Sequence, residues 1–383
     1  MRERSENEGR LPALALWYRR AQRQPVIDKR PALELHVNLW RRTGHKAREK
    51  DINYLDLGIQ IHELRDLTAL QLYVPFSLDD GPVEDLGYRL RQREIASAVF
   101  NEVLDVEDGQ ECQPSFFIRK NGDHFLTVHP IDEGSDIQQD SAGQGTILIF
   151  DENFCSKLQS PGEHYMRIRF KLNNRAAEIF SSDVSSEDGF LLSSITTSEI
   201  TEIRINEARS IPEAVQKRAK EGVWRSPQIT AIHYFLVREI SFDLVASHAS
   251  FRKIRRMEPE WDAYLGGEFP DGSARNMLIY HWRKSGDGRE GDVGDFVTLA
   301  KFRRSKGNIL LYIFLVVFFG SLGSGLHSSF SFLIERPKAQ EFTWMQLFFP
   351  PTGWAYVAAT GWIALITGLA LTYQKWPIWP RRR

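Results

Sequence analysis

Two runs of basic side chains in this sequence have the density to hold a charged ligand. Arg41, Arg42, His45, Lys46, Arg48 and Lys50 crowd one stretch, and Arg252, Lys253, Arg255 and Arg256 another. Guanidinium and ammonium groups packed this closely bind phosphate, nucleotide or anionic lipid through charge-assisted hydrogen bonds. Arg41, Arg42, Lys46 and Arg48 in the first run, and all four residues of the second, are the candidate anion-binding groups. The competing reading of each run is a solvated charged loop.

A third group places one ionisable side chain among small ones. Gly320, Ser324, His327 and Ser328 recur at helical spacing on one face, with Ser331 continuing it. Ala358 and Gly361 supply a matching small surface in a second apolar run. Small residues let helix backbones approach closely and hydrogen-bond across the contact. The stripe reads either as helix packing or as the lining of a wet pore, with His327 as its titratable group.

The remaining chemistry is sparse. His36, His62, His124, His129, His164, His233 and His281 are scattered over predicted strands. Most are expected to face solvent or to be satisfied locally. There is no phosphate-binding glycine loop followed by lysine, no GxSxG, no HExxH and no paired zinc motif. "DGREGDVGD" misses the spacing of a calcium loop. No catalytic residue, metal ligand set or cofactor is expected.

The elements that would position these groups follow from periodicity. Leu33, Leu35, Val37 and Leu39 alternate with Glu34, His36 and Asn38, a half-buried strand. "YLDLGIQIHEL" and "LTALQLYVPF" repeat that period. "DDGPVEDLGYRLRQREIASAVFNEVL" predicts one helix, and Asn121-Gly122 a type I′ turn closing a hairpin. "PIDEGSDIQQDSAGQG" reads as a polar loop before the strand "GTILIF". "YMRIRFKL", "SEITEIRIN" and "NMLIYHWRKS" predict strands, and "IPEAVQKRAKEG" and "EPEWDAYL" helices. "ITAIHYFLVREISFDLVAS" is long enough for one bent strand or two. The order of strands and helix recurs without residue-level similarity, which suggests two similarly built halves meeting near residue 150.

Composition places these elements in a folded protein, at 42% hydrophobic and 26% charged residues. Charge is divided unevenly. Residues 301–383 hold ten Lys or Arg against two Glu, leaving the first 300 residues acidic. That distribution argues against a nucleic-acid binder. Ile309 to Phe330 carries no formal charge, and neither does Trp354 to Tyr373. At about 1.5 Å per residue, either would span roughly 30 Å of hydrocarbon. Basic residues flank the pair at Lys301–Lys306 and Arg381–Arg383.

The expected architecture is therefore α+β. A basic or amphipathic segment occupies 1–24. Two β-rich cytoplasmic halves span 25–150 and 151–284, with a linker and juxtamembrane segment at 285–308. Membrane helices at 309–330 and 354–373 flank an external loop at 331–353, and a basic tail covers 374–383. Both termini are expected in the cytoplasm, with the protein multi-pass in the inner membrane. Cys112 and Cys155 form no CxxC pair and read as free thiols.

The function expected on this reading is a membrane-anchored sensor or effector in bacterial defence or stress. It would bind a small anionic ligand or a protein partner, act on the lipid bilayer and form homo-oligomers. The alternatives are a scaffold that docks an enzyme and an unfamiliar enzyme with an anionic substrate.

Overall fold

The computed structural model describes residues 12–21, 30–44, 51–62, 67–78, 83–109, 114–184, 196–267, 269–286, 291–305, 313–324, 327 and 361. Two compact units divide the chain, one of residues 1–189 and 196–304, the other of 190–195 and 305–383.

The first unit is built on three sheets. The central sheet has ten strands. Its path runs β16 (Lys253–Arg256), β17 (Met277–Ser285), β14 (Gln228–Glu239), β2 (Ala32–Arg42), β3 (Ile52–His62), β11 (Glu163–Lys171), β8 (Asp123–Val128), β7 (Phe116–Lys120) and β6 (Asp105–Asp108), with β5 (Glu84–Asp85) also paired to β11. A four-stranded sheet orders β1 (Ala15–Arg20), β4 (Leu67–Val74), β10 (Gly145–Phe150) and β9 (Ile137–Ala142). Another orders β12 (Ser181–Val184), β13 (Thr196–Ile205), β18 (Phe296–Ser305) and β15 (Phe242–Ser247).

Alternation along the central strands makes two unlike faces. Leu33, Leu35, Val37 and Leu39 of β2 point inward with Leu55, Leu57, Ile59 and Ile61 of β3, and with Ile232, Tyr234 and Leu236 of β14. They meet Leu70, Leu72 and Phe150 from the first small sheet and Ile203, Phe296 and Phe302 from the second. This one core ties the three sheets together, since apolar area leaves water on both sides of it. The opposite face is covered at one end by α1 (Arg93–Phe100) and the short helix Trp261–Leu265, through Trp40, Tyr54, Ile95, Trp261 and Tyr264. Beyond that cover the same face carries Glu34, His62 and His233, all incompletely buried.

Several expectations give way here. The two halves do not form separate similar sheets. β2 pairs in parallel with β14, and β3 antiparallel with β11, so strands from either side of residue 150 interleave in one sheet. The single helix expected over 79–104 resolves into β5, a 3-10 turn (Gly87–Arg91) and α1. The polar loop before β10 contains the short helix α2 (Glu133–Asp136) and β9. The N-terminal segment contributes β1, whose Leu16 and Tyr18 enter the main core. Lys301, Arg303 and Arg304, expected beside a membrane, belong to β18, where Phe302 between them is fully buried.

The membrane hairpin is not supported either. Among the described residues no helix is long and apolar enough to cross a membrane. Of the first expected span, residues 313–324 and 327 are described and are helical; of the second, residue 361 alone is described. An uncharged run in the sequence set the expectation. The α+β fold with a transmembrane hairpin is therefore replaced by a β-rich mixed fold. The multi-pass inner-membrane placement falls with the hairpin.

Candidate metal centre

Strand register carries a row of polar groups across the exposed part of the central sheet. His36 of β2 lies opposite His233 of β14, and His233 lies opposite Arg283 of β17. On the other side His36 faces Gly58 of β3, which faces Arg167 of β11. Side chains two residues along a strand share a face. Glu34, His62, Glu163, Tyr165 and His281 therefore join the same surface.

The imidazoles nearly touch. Ring centroids of His36 and His233 are 5.0 Å apart, and those of His233 and His281 are 5.3 Å apart and stacked. His233 Nδ1 and His281 Nε2 share a hydrogen bond of 3.2 Å. Glu34 Oε2 lies 3.7 Å from His233 Nε2, while its other oxygen is 3.8 Å from His62 Nε2. His62 Nδ1 contacts Glu163. One ligand atom each from Glu34, His36 and His233 lies within 4.8 Å of the others.

Gly58 makes room for the support beneath His36. The Tyr165 ring occupies the space a side chain there would fill, and a Cβ on Gly58 would lie 2.1 Å from its hydroxyl. The Tyr165 hydroxyl accepts from Arg167 Nη1 at 2.8 Å and sits 3.2 Å from His36 Nδ1. Arg167 Nε donates to the Tyr264 hydroxyl at 2.6 Å, which donates to Asp56 at 2.7 Å. Asp56 also accepts two bonds from Arg169 and one from the Trp40 indole. These groups are all buried, and in a low-dielectric interior such a network fixes one arrangement of side chains.

Burial and neighbouring cations hold the imidazoles neutral. Desolvation first, then His233 and Arg167, press His36 well below the ordinary histidine range. Burial and Arg283 lower His233 to about 4; burial and His233 lower His281 to about 3. His62 goes the other way, raised to about 9 by Glu34 and Glu163 against the cost of burial. The Glu34 carboxyl is lowered by its hydrogen bond to His62. A carboxylate and neutral imidazoles are the protonation states in which these groups ligate a metal.

The anion-binding candidates are dispersed by the fold. Arg41 donates to buried Glu199 at 3.2 Å, and Glu199 also holds Arg238 at 2.5 Å. Arg42 ends β2, and Lys46 and Arg48 lie outside the described residues. Lys253, Arg255 and Arg256 form the edge strand β16, where charge discourages pairing with another chain. Arg255 lines an open groove of about 540 Å³ beside α1, but its guanidinium is held by Glu258 at 2.6 Å. The Arg256 guanidinium donates to the Arg275 carbonyl. Arg252 and Lys253 approach the histidines: the Arg252 backbone N–H donates to the His281 carbonyl at 2.7 Å, and Lys253 lies opposite His281 in the sheet. Gly320, Ser324, His327 and Gly361 are helical and exposed; Ser328 and Ala358 lie outside the described residues.

Sequence reasoning passed over Glu34, His36 and His233. Alternation alone puts Glu34 and His36 on one face. Their meeting with His233 depends on a parallel pairing across nearly two hundred residues.

No family model matches the chain, and no curated protein matches it. Among solved structures, a protein from Legionella pneumophila described as nutrient-binding aligns at 9% identity and a TM-score of 0.28, covering 83% of this chain and 79% of that one. The M1 zinc metallopeptidase from Deinococcus radiodurans aligns at 7% identity and a TM-score of 0.23, over 72% of this chain and 42% of its own. The zebrafish (Danio rerio) Fcho1 Mu homology domain, with bound Eps15 peptide, gives 8% identity and a TM-score of 0.16, covering 76% and 80%. Scores this low carry no argument about fold or function.

Proposed function

We propose that this protein binds a divalent transition-metal ion through Glu34, His36 and His233, and that an anionic ligand completes the site. The convergence of these three ligand atoms within 4.8 Å carries the reading. Three atoms so placed share a point no more than about 2.8 Å from each, so closing to bonds of roughly 2.1 Å asks each side chain to move about 0.7 Å.

Two imidazoles and one carboxylate suit zinc, iron(II), nickel or copper, and disfavour magnesium and calcium, which take oxygen ligands. His36 would donate from Nδ1 to Tyr165, whose oxygen keeps a lone pair beyond the one Arg167 fills. His233 would donate from Nδ1 to His281. Both are the outer contacts that orient metal-bound imidazoles. With His62 balanced by Glu163, the ion and Glu34 together leave roughly one positive charge. Arg283, opposite His233, and Arg252, beside His281, add to it. A small anion such as phosphate or a carboxylate would relieve that excess, which is the ligand class expected from the basic runs.

Cobalt(II) titration of the full chain, followed by ligand-field absorption, tests the reading. One equivalent should bind, phosphate should tighten it, and Glu34→Gln, His36→Gln and His233→Gln should each weaken it at least tenfold. Absence of binding at equimolar metal, or indifference to all three substitutions, would reject it. Three protein ligands with an open position are also the pattern of catalytic zinc, so metal-dependent hydrolysis of an anionic ester is the second reading. Turnover by the zinc-loaded protein, abolished by Glu34→Gln, distinguishes it.

A further inference from the structure

A second line of histidines, separate from the metal centre, runs across the far side of the central sheet. Ser115 immediately precedes β7, His129 immediately follows β8, and His164 belongs to β11. Phe116 pairs with Val128, and Thr127 with His164, so the sheet sets the three residues side by side. Ser115 Oγ is 2.9 Å from His129 Nδ1, and His129 Nε2 is 2.9 Å from His164 Nδ1. His164 Nε2 is 2.8 Å from the Ser160 carbonyl.

The direction of this chain follows from its last member. A carbonyl oxygen only accepts, so His164 carries its proton on Nε2. Burial keeps His164 and His129 neutral, the latter down to about 3. His164 Nδ1 is then an acceptor, which makes His129 Nε2 the donor and leaves His129 Nδ1 with a free lone pair. The Ser115 hydroxyl must donate to it. Nucleophile, base and orienting group thus stand in hydrogen-bonded order, the logic of a serine triad with histidine in the third place. Ser115 is only partly buried, while both imidazoles are inside. The Pro114 carbonyl accepts from Arg91 at 2.8 Å, which fixes the backbone that presents the serine.

We propose that Ser115 is a nucleophile for acyl transfer, with His129 as its base and His164 as the positioning residue. Ser115 Oγ attacks the carbonyl carbon of an ester, forming the new C–O bond as its proton passes to His129 Nδ1. The tetrahedral intermediate collapses, the bond to the leaving aryloxide breaks, and that aryloxide takes the proton from His129. Water then attacks the acyl-serine by the same route and restores Ser115. Burial makes protonating His129 uphill, so the substrates are carbonyl compounds with good leaving groups, such as aryl esters.

The test uses the full chain with diisopropyl fluorophosphate, whose phosphorus takes Oγ as fluoride leaves, and p-nitrophenyl acetate as substrate. Peptide mass mapping should place one adduct on Ser115. Ser115→Ala, at a partly exposed position, should abolish both adduct and esterase activity. His129→Gln should slow labelling at least tenfold. His164→Gln should move the pH midpoint of labelling with the circular dichroism unchanged. An unlabelled Ser115 in the wild-type protein would overturn the proposal. So would labelling of Ser115 at an equal rate in folded His129→Gln.

Discussion

Adding one methyl group at Gly58 tests whether the outer face of the central sheet is organised around the Tyr165 phenol. Gly58 has no positive φ, so alanine meets no backbone strain there. The obstacle is space. The new Cβ would lie 2.1 Å from the Tyr165 hydroxyl, 2.8 Å from its ring carbon Cζ and 3.0 Å from Arg167 Nη1. Tyr165 is fully buried, and repacking it costs about 1–3 kcal/mol. Displacing the hydroxyl also breaks the bond from Arg167, a buried cation whose Nη2 has no partner among the described residues. A hydrogen bond to a charged group is worth about 1.5–3 kcal/mol. Replacing a strand glycine by alanine returns about 0.5–1 kcal/mol.

The net expectation is a loss of about 2–5 kcal/mol in urea unfolding, from terms of this size. Metal affinity should fall about tenfold or more, because His36 loses its outer contact. Tyr165→Phe removes the oxygen at 2.1 Å and leaves the ring carbon at 2.8 Å. The double variant should therefore lose less than the sum of the single ones. A Gly58→Ala protein within about 0.5 kcal/mol of wild type, or strict additivity, would refute the reasoning.

Stability should depend on pH on both sides of neutrality. His129, buried and neutral to about 3, keeps its contribution above pH 6.5, and that is lost by about 1.4 kcal/mol per unit as pH falls from there toward 3. His62, raised to about 9 beside Glu34 and Glu163, contributes fully below pH 6.5 and loses that as pH rises through 9, by less because it is partly exposed. Urea midpoints at stepped pH should peak near 6.5, and an acid limb unchanged in His129→Gln would reject the first assignment. Asp56→Asn leaves Arg169 without its counter-charge, and Glu199→Gln does the same to Arg238 and Arg41. Each should cost about 3–5 kcal/mol, as breaking a buried ion pair does; a loss below about 1 kcal/mol in either would show that solvent reaches the pair.

Local order in this chain was legible from local pattern. The alternation of Leu33 to Leu39 specified β2 and which of its residues face outward, and Asn121-Gly122, both at positive φ, specified the turn between β7 and β8. The helix over Glu213–Glu221 was equally plain, with glycine at its C-terminal end. Such signals need only the neighbouring few residues, because pleat, turn type and helix caps are set by backbone geometry at close range. The apolar run at 309–330 was legible only as composition, and among the described residues no helix is long and apolar enough to cross a membrane. Which strands meet was not written locally at all. The parallel pairing of His36 with His233, the line from Ser115 through His129 to His164, and Arg41's capture by Glu199 join residues from 14 to nearly 200 positions apart. Strand order is chosen by which apolar faces close the shared core, and that choice decided which of the scattered histidines became neighbours.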